Sequence, residues 1–253
     1  MRRDVSDALV MTKRNLLKYR RIPTLLLFST IQPIMFVLLF VFVFGGAVQF
    51  GSATNYATFL LPGIFIQTAM FGSTQTGIGL AEDINKGLIE RFRSLPMSRS
   101  AVLVGRTLSD SARNAFVVVL MTIVGYIVGF RFQGGVIEAA ATLILAVLFG
   151  FAFSWISATI GLSVRDVETA QAAGFIWVFP LTFASSAFVP TETMPSWLQT
   201  FADINPVTFG VNTLRALTFG ESATPDLWYT LAWIAGILLV FVPLAVRQYR
   251  KAV

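Results

Sequence analysis

Between Ile22 and Ala81 the chain carries no charged residue. A spanning helix needs about 20 apolar residues, so a charge-free run of this length predicts two spans divided by a polar turn. The Gly, Ser, Thr and Asn residues between Gly45-Gly46 and Asn55 mark that turn. The first span is placed at 24–44 and the second at 56–80. The same pattern puts a third at 110–130, a fourth at 137–162, a fifth at 168–189 and a sixth at 227–246. The predicted fold is all-α, a polytopic membrane protein with six transmembrane helices in a single domain, 1–253.

Two further segments are neither spans nor plain loops. In residues 3–22, Val5, Leu9, Thr12, Leu16 and Tyr19 recur at helical spacing while Lys13, Arg14, Lys18 and Arg21 take other faces. That pattern predicts an N-terminal amphipathic interfacial helix on the cytoplasmic leaflet, feeding the first span. The alternative is a loose basic tail. Before the last span, residues 190–226 interleave Trp197, Leu198, Phe201, Ile204, Phe209, Val211, Leu214 and Leu217 with Asp203, Asn205 and Arg215. Pro195 and Pro206 each stand where a short helix can begin, which predicts two short extracellular or re-entrant helices.

Composition supports the membrane reading: 55% of the residues are hydrophobic and 13% charged, against roughly 25% charged in an ordinary soluble domain. The absence of Cys and His excludes disulfides, thiolate sites and the usual zinc, haem and triad chemistry. A net charge of +6 invites a nucleic-acid partner, but the basic residues flank apolar spans and fit lipid headgroups and topology better. With six spans, seventeen of the nineteen basic residues fall on the side of the termini, leaving Arg131 and Arg215 opposite. Both termini are therefore expected in the cytoplasm of a multi-pass cell-membrane protein. The basic residues of 1–21, with no apolar run among them, do not form a cleavable signal peptide.

Ionisable groups are nearly missing from the spans. Asp110 and Arg113 are placed at the cytoplasmic start of the third span, Asp166 and Glu168 at the start of the fifth, and Glu138 at the outer start of the fourth. A carrier driven by protons or sodium commonly keeps a charge inside the membrane, so any driving energy is expected from elsewhere. These 253 residues hold neither a G-x-x-x-x-G-K-[ST] phosphate loop nor a G-x-S-x-G elbow, and no catalytic, metal or cofactor-binding residue is assigned.

The segment 82–109 is the largest cytoplasmic connection, dense in charge, with Leu88, Ile89, Phe92 and Leu95 as apolar contacts and Pro96 as a helix breaker. A short charged helix with an apolar stripe suits docking into a groove on a cytoplasmic partner, although a solvated loop has the same charge. Polar residues within the spans, among them Gln32, Gln67, Thr68, Gln75 and Ser185, are candidates for a translocation path. Interhelical hydrogen bonding is the competing explanation. Gly125-x-x-x-Gly129 and Ser157-x-x-x-Gly161 read as close helix packing.

The run Glu90-Arg91-Phe92-Arg93-Ser94-Leu95-Pro96-Met97-Ser98-Arg99, followed by Gly105-Arg106 and Asp110, resembles the signature of type-2 ABC transporter permeases, with the daunorubicin-resistance permeases the nearest look-alikes. Leu61-Pro62-Gly63-Ile64 and Met194-Pro195-x-Trp197-Leu198-Gln199, with Asn205-Pro206 and Arg215, are similar to that family too. Unlike the larger members, this sequence shows no fused ATPase and no large outer domain.

The resemblance implies the permease subunit of an ATP-driven exporter of an amphipathic drug, lipid or glycoconjugate. Two permeases, identical or sister subunits, would pair with cytoplasmic ATPase subunits that hold the ATP and magnesium. The ATPase-coupling contacts it implies are Glu90, Arg91, Phe92, Arg93, Pro96, Ser98 and Arg99. A self-sufficient carrier or channel and a non-transporting membrane scaffold remain as alternatives.

Overall fold

The computed structural model describes residues 2–44, 56–88, 91, 99–164, 166–221 and 225–252. Among the described residues the fold is all-helical, without strands. Helix α1 (Arg2–Arg21) breaks at Ile22, and α2 (Pro23–Leu39) starts on a proline, whose missing N–H is no loss at a first helical position. A π-helical stretch, Phe40–Phe44, extends α2. Then follow α3 (Tyr56–Asn85), α4 (Arg99–Ile127), α5 (Val136–Ser163) and α6 (Val167–Phe183). A 3-10 turn at Thr191–Thr193 leads to α7 (Ser196–Ile204), α8 (Pro206–Phe219) and α9 (Pro225–Ala252).

Five helical segments are long and apolar enough to cross a membrane: Leu26–Val43, Tyr56–Asn85, Ala101–Ile127, Val136–Ser163 and Pro225–Lys251. Helix α6 has 17 residues, about 25 Å of helix against a hydrocarbon core of about 30 Å.

Helix α3 is the axis of the bundle. It packs on α5, α6, α4 and α8, and 83% of its most apolar window is buried. Only 17% of the corresponding window of α2 is buried, and Leu27, Phe28, Met35, Phe42 and Val43 face outward. That pattern is the reverse of a soluble protein and fits a lipid-facing helix. The α3–α5 seam is built from glycine. A Cβ on Gly77 would stand 2.3 Å from the Ser157 carbonyl oxygen, and one on Gly161 would stand 2.1 Å from the Gly77 carbonyl oxygen. The expected small-residue packing at Ser157 and Gly161 is thus a backbone-to-backbone contact. Gly125 packs on Leu61, but Gly129 lies past the end of α4 at φ +100 and belongs to a turn rather than to a packing face.

Three expectations about boundaries shift. The third helix begins at Arg99, not near 110, so Arg106 lies on that helix and not in a connection, and Asp110 and Arg113 lie well inside it rather than at its start. Helix α3 likewise continues to Asn85, which shortens the connection expected at 82–109 from both ends. The helix expected at 168–189 ends at Phe183, where Ala184 leaves helical geometry and Ser185 to Phe188 form a turn.

Helix α1 packs along α4 through Ala8, Met11 and Asn15, seated on Gly105, whose added Cβ would come 2.5 Å from the Met11 Cβ. Leu9 and Leu16 of the expected apolar stripe are exposed, beside Val10 and Leu17.

Candidate functional site

Where α1, α2, α3 and α4 meet, they enclose a cavity of about 340 Å³. Helix α3 lines it with Thr68, Gly72, Gln75, Gly79 and Glu82, which share one face at successive turns. Helix α2 supplies Phe28, Ser29, Gln32, Pro33 and Phe36, and α4 supplies Arg106, Arg113, Asn114 and Val117. The two glycines let long side chains of α4 cross α3. A Cβ on Gly79 would stand 1.6 Å from Arg106 Nη2, and one on Gly72 would stand 2.2 Å from Asn114 Oδ1.

Behind the cavity-lining Tyr19 and Arg106 lies an ionic network centred on Asp110, which is 1% exposed. Its Oδ1 accepts from the Tyr19 hydroxyl at 2.7 Å. Its Oδ2 accepts from Thr76 Oγ1 at 2.8 Å and from Arg106 Nε at 3.2 Å. Arg106 Nη1 also stands 3.8 Å from Asp83 Oδ2. One carboxylate thereby ties α1, α3 and α4 together. Burial, with the Asp110 charge beside it, pushes the Tyr19 phenol up to about 12, so it remains a donor throughout the physiological range. Arg113 donates from Nη2 to the Gly72 carbonyl at 2.8 Å and to Asn114 Oδ1 at 3.3 Å, with its guanidinium 5.7 Å from the Tyr19 ring centre.

Four ionisable groups are gathered in this region. Asp83, Arg106, Asp110 and Arg113 all lie within membrane-length helices and are buried or nearly so. The signal was present in the spacing, since Arg106, Asp110, Arg113 and Asn114 follow the i, i+4, i+7, i+8 rule of one helical face. Charge placed Arg106 in the connection and hid its register with the other three.

Of the candidate path residues, Gln32, Gln67, Thr68 and Gln75 all line this cavity. Ser185 does not. It sits in the turn after α6, where its hydroxyl donates to the Thr182 carbonyl at 2.6 Å and accepts from Ala187 N at 3.2 Å. That turn is held by two residues singled out above, Asn205 and Arg215. Asn205 Nδ2 donates to the Leu181 and Ala184 carbonyls, each at 2.8 Å, while its Oδ1 caps α8 at Val207 N. Arg215 reaches the carbonyls of Phe59, Ser186 and Ala187 at 3.0, 2.6 and 3.2 Å and stacks 3.6 Å from the Phe59 ring centre.

Of the coupling residues, Arg91 is exposed, its backbone N–H bonded to the Gly87 carbonyl, and Arg99 opens α4. Glu90, Phe92, Arg93, Pro96 and Ser98 lie outside the described residues.

The sequence pattern of the ABC-2 type transporter family matches residues 7–219. The chain is 34% identical over 247 residues to the daunorubicin resistance ABC transporter permease protein DrrB1 of Streptomyces coeruleorubidus, covering 98% of this chain and 87% of that one. It is 27% identical over 249 residues to the "Probable doxorubicin resistance ABC transporter permease protein DrrC" of Mycobacterium tuberculosis, covering 98% and 90%. The doxorubicin resistance ABC transporter permease protein DrrB of the same species is 25% identical over 203 residues, covering 78% and 70%. The family match takes in the Asp110 network, the cavity walls and the Asn205–Arg215 clasp together, and the chain belongs to the ABC-2 type transporter family.

Proposed function

We propose that the chain is the membrane-spanning permease of an ATP-driven exporter that moves an amphipathic drug, lipid or glycoconjugate out of the cytoplasm or inner leaflet. ATP, with magnesium, is hydrolysed on a separate ATPase subunit, and a second permease, identical or a sister, completes the complex. The observation that carries this reading is the convergence of Gln32, Gln67, Thr68 and Gln75 from two apolar helices on one cavity. Uncharged amides beside phenyl rings suit an amphipathic cargo better than a bare ion, which calls for rings of charge or a carbonyl filter. The resistance permeases among its relatives support the same reading.

In this reading α2, α3, α4, α5, α6 and α9 are six crossings, with both termini in the cytoplasm. The short α6 crosses by local thinning of the bilayer. Helix α1 runs along the cytoplasmic leaflet, and α7 and α8 lie at the outer end. The connection between α3 and α4 docks on the ATPase through Glu90, Arg91, Phe92, Arg93, Pro96, Ser98 and Arg99. Both helices it joins are cavity walls, so a displacement there reaches the cargo site directly. ATP shifts the bundle only by its differential affinity for the two states.

Replacing Glu90 and Arg91 together by alanine is expected to abolish export and lower ATPase stimulation while leaving the chain inserted. Efflux from vesicles checks it, and normal export would remove the docking role. A cysteine placed at Ser52 is expected to react with an impermeant maleimide from outside, and one at Ser98 only after the cytoplasmic side is opened. The opposite labelling would invert the topology.

A further inference from the structure

Among the described residues, two amide donors at the cavity have no hydrogen-bond partner. Gln67 Nε2 and Asn15 Nδ2 are buried without a hydrogen bond, in side chains 4% and 7% exposed that line the space. A buried N–H without an acceptor is unfavourable, and a ligand rich in acceptors relieves it. The charges of the lining lean the same way. Lys18, Arg106 and Arg113 face the cavity against a single carboxylate, Glu82. Glu82 is already shared by Lys18, 3.6 Å away, and Lys86. Asp110 is taken up by Tyr19, Thr76 and Arg106. Among the described residues no carboxylate lies within ion-pair distance of Arg113.

The cavity is also graded along α3. Glu82, Gly79 and Lys18 mark one end, and Gln67, Thr68, Phe71, Phe36 and Val117 mark the other. The span from Glu82 to Gln67 is about 22 Å at 1.5 Å per residue. Phe28 lines the cavity while 71% exposed, so the space opens past α2 at the lipid-facing side.

We propose that this cavity binds an anionic amphiphile, its phosphate- or carboxylate-type head held by Arg113 and Lys18 and its apolar part laid along Phe28, Phe36 and Phe71. The assignment rests on the exporter reading and narrows its cargo class. Guanidinium is suited to phosphate and carboxylate oxygens, which accept several hydrogen bonds at once. The amide of Asn15, on α1 with Lys18, adds a donor at the head, and that of Gln67 meets an acceptor in the body of the ligand. A cationic amphiphile finds no free carboxylate here and meets Arg113 instead.

The test uses the chain purified with its ATPase from native membranes. Native mass spectrometry reads competition among short-chain phosphatidylglycerol, phosphatidylcholine of the same chain length and the cationic amphiphile doxorubicin. Phosphatidylglycerol is expected to bind preferentially and to lose about tenfold or more in R113Q. R113K is expected to retain it. K18E, at a half-exposed position away from the Arg113 backbone contact, is expected to lose it with the fold intact.

Doxorubicin binding at least as well as phosphatidylglycerol, or lipid binding unchanged in both R113Q and K18E, would overturn the proposal. Release of the bound lipid on vanadate trapping with ATP marks it as cargo, and retention marks it as a resident lipid; either result supports the anionic class. ATPase co-purification is read separately. An associated ATPase with no charge preference overturns this proposal alone. Arg113-dependent lipid binding without any ATPase overturns the exporter reading alone.

Discussion

Substituting leucine for Gly161 is expected to leave almost no correctly folded protein. The Cβ alone would stand 2.1 Å from the Gly77 carbonyl oxygen and 2.6 Å from its Cα. Ordinary contact begins near 3.4 Å, so the two backbones would have to part by more than an ångström before the rest of the side chain is accommodated. Neither neighbour is a flexible side-chain end that can turn aside. Helix α3 has no other place to go, since it is enclosed by α4, α5, α6 and α8. Overpacking in a tight core costs about 1–3 kcal/mol, and a rigid backbone seam belongs at or above the top of that range. Fluorescence-detected size exclusion of a tagged protein should show aggregate or loss of the peak for G161L and an intermediate profile for G161A. A monodisperse peak of normal height for the leucine variant would mean that the α3–α5 seam is not as close as described.

The second large effect is expected at Asp110. Alanine there removes the acceptor for Tyr19, Thr76 and Arg106 at once and leaves Arg106 with Asp83 at 3.8 Å as its carboxylate partner. Breaking one partner of a buried pair costs about 3–5 kcal/mol because the other charge stays behind. For a chain of this length that corresponds to a fall in melting temperature of about 10 °C. The paired replacement R106M with D110L removes both charges and is expected to melt closer to the wild type than D110A does. Melting in lipid nanodiscs tests the order of the three variants. If the double variant is the least stable, the network holds the helices by more than charge balance. Transport retained in D110N would also remove the reading in which Asp110 is a coupling carboxylate of a self-sufficient carrier.

Much of the bundle was legible because charge-free runs leave few interpretations. The run from Ile22 to Ala81 gave two helices at 24–44 and 56–80, and the chain has Pro23–Phe44 and Tyr56–Asn85. Pro195 and Pro206 marked two short helices, now seen at Ser196–Ile204 and Pro206–Phe219. The same rule failed at the start of α4, where it left Arg106 in a connection and set the helix to begin only at Asp110. A charge satisfied by partners distant in sequence reads the same as a solvated one, and only the i, i+4, i+7 spacing hints otherwise. The gathering of Gln32 with Gln67, Thr68 and Gln75 was not legible either. Their polarity was visible, but which helix faces α2 depends on the packing of α3 and α4 around Gly72 and Gly79.

The Asp110 network also fixes an order of biogenesis. A helix carrying Arg106, Asp110 and Arg113 is a poor substrate for the translocon, which charges about 2.5–3.5 kcal/mol for each such residue at a helix centre. Among the described residues every cross-helix partner of these side chains, Tyr19, Gly72, Gln75, Thr76 and Asp83, is synthesised before α4 emerges. Arg215 follows suit, since Phe59, Ser186 and Ala187 all precede it. Arg106, Asp110, Arg113 and Arg215 therefore each find their cross-helix partners already made as they leave the ribosome. A circular permutant that moved α1 behind α9 would leave the side chains of the Asp110 network in the chain, yet it would ask α4 to enter the bilayer before Tyr19 exists.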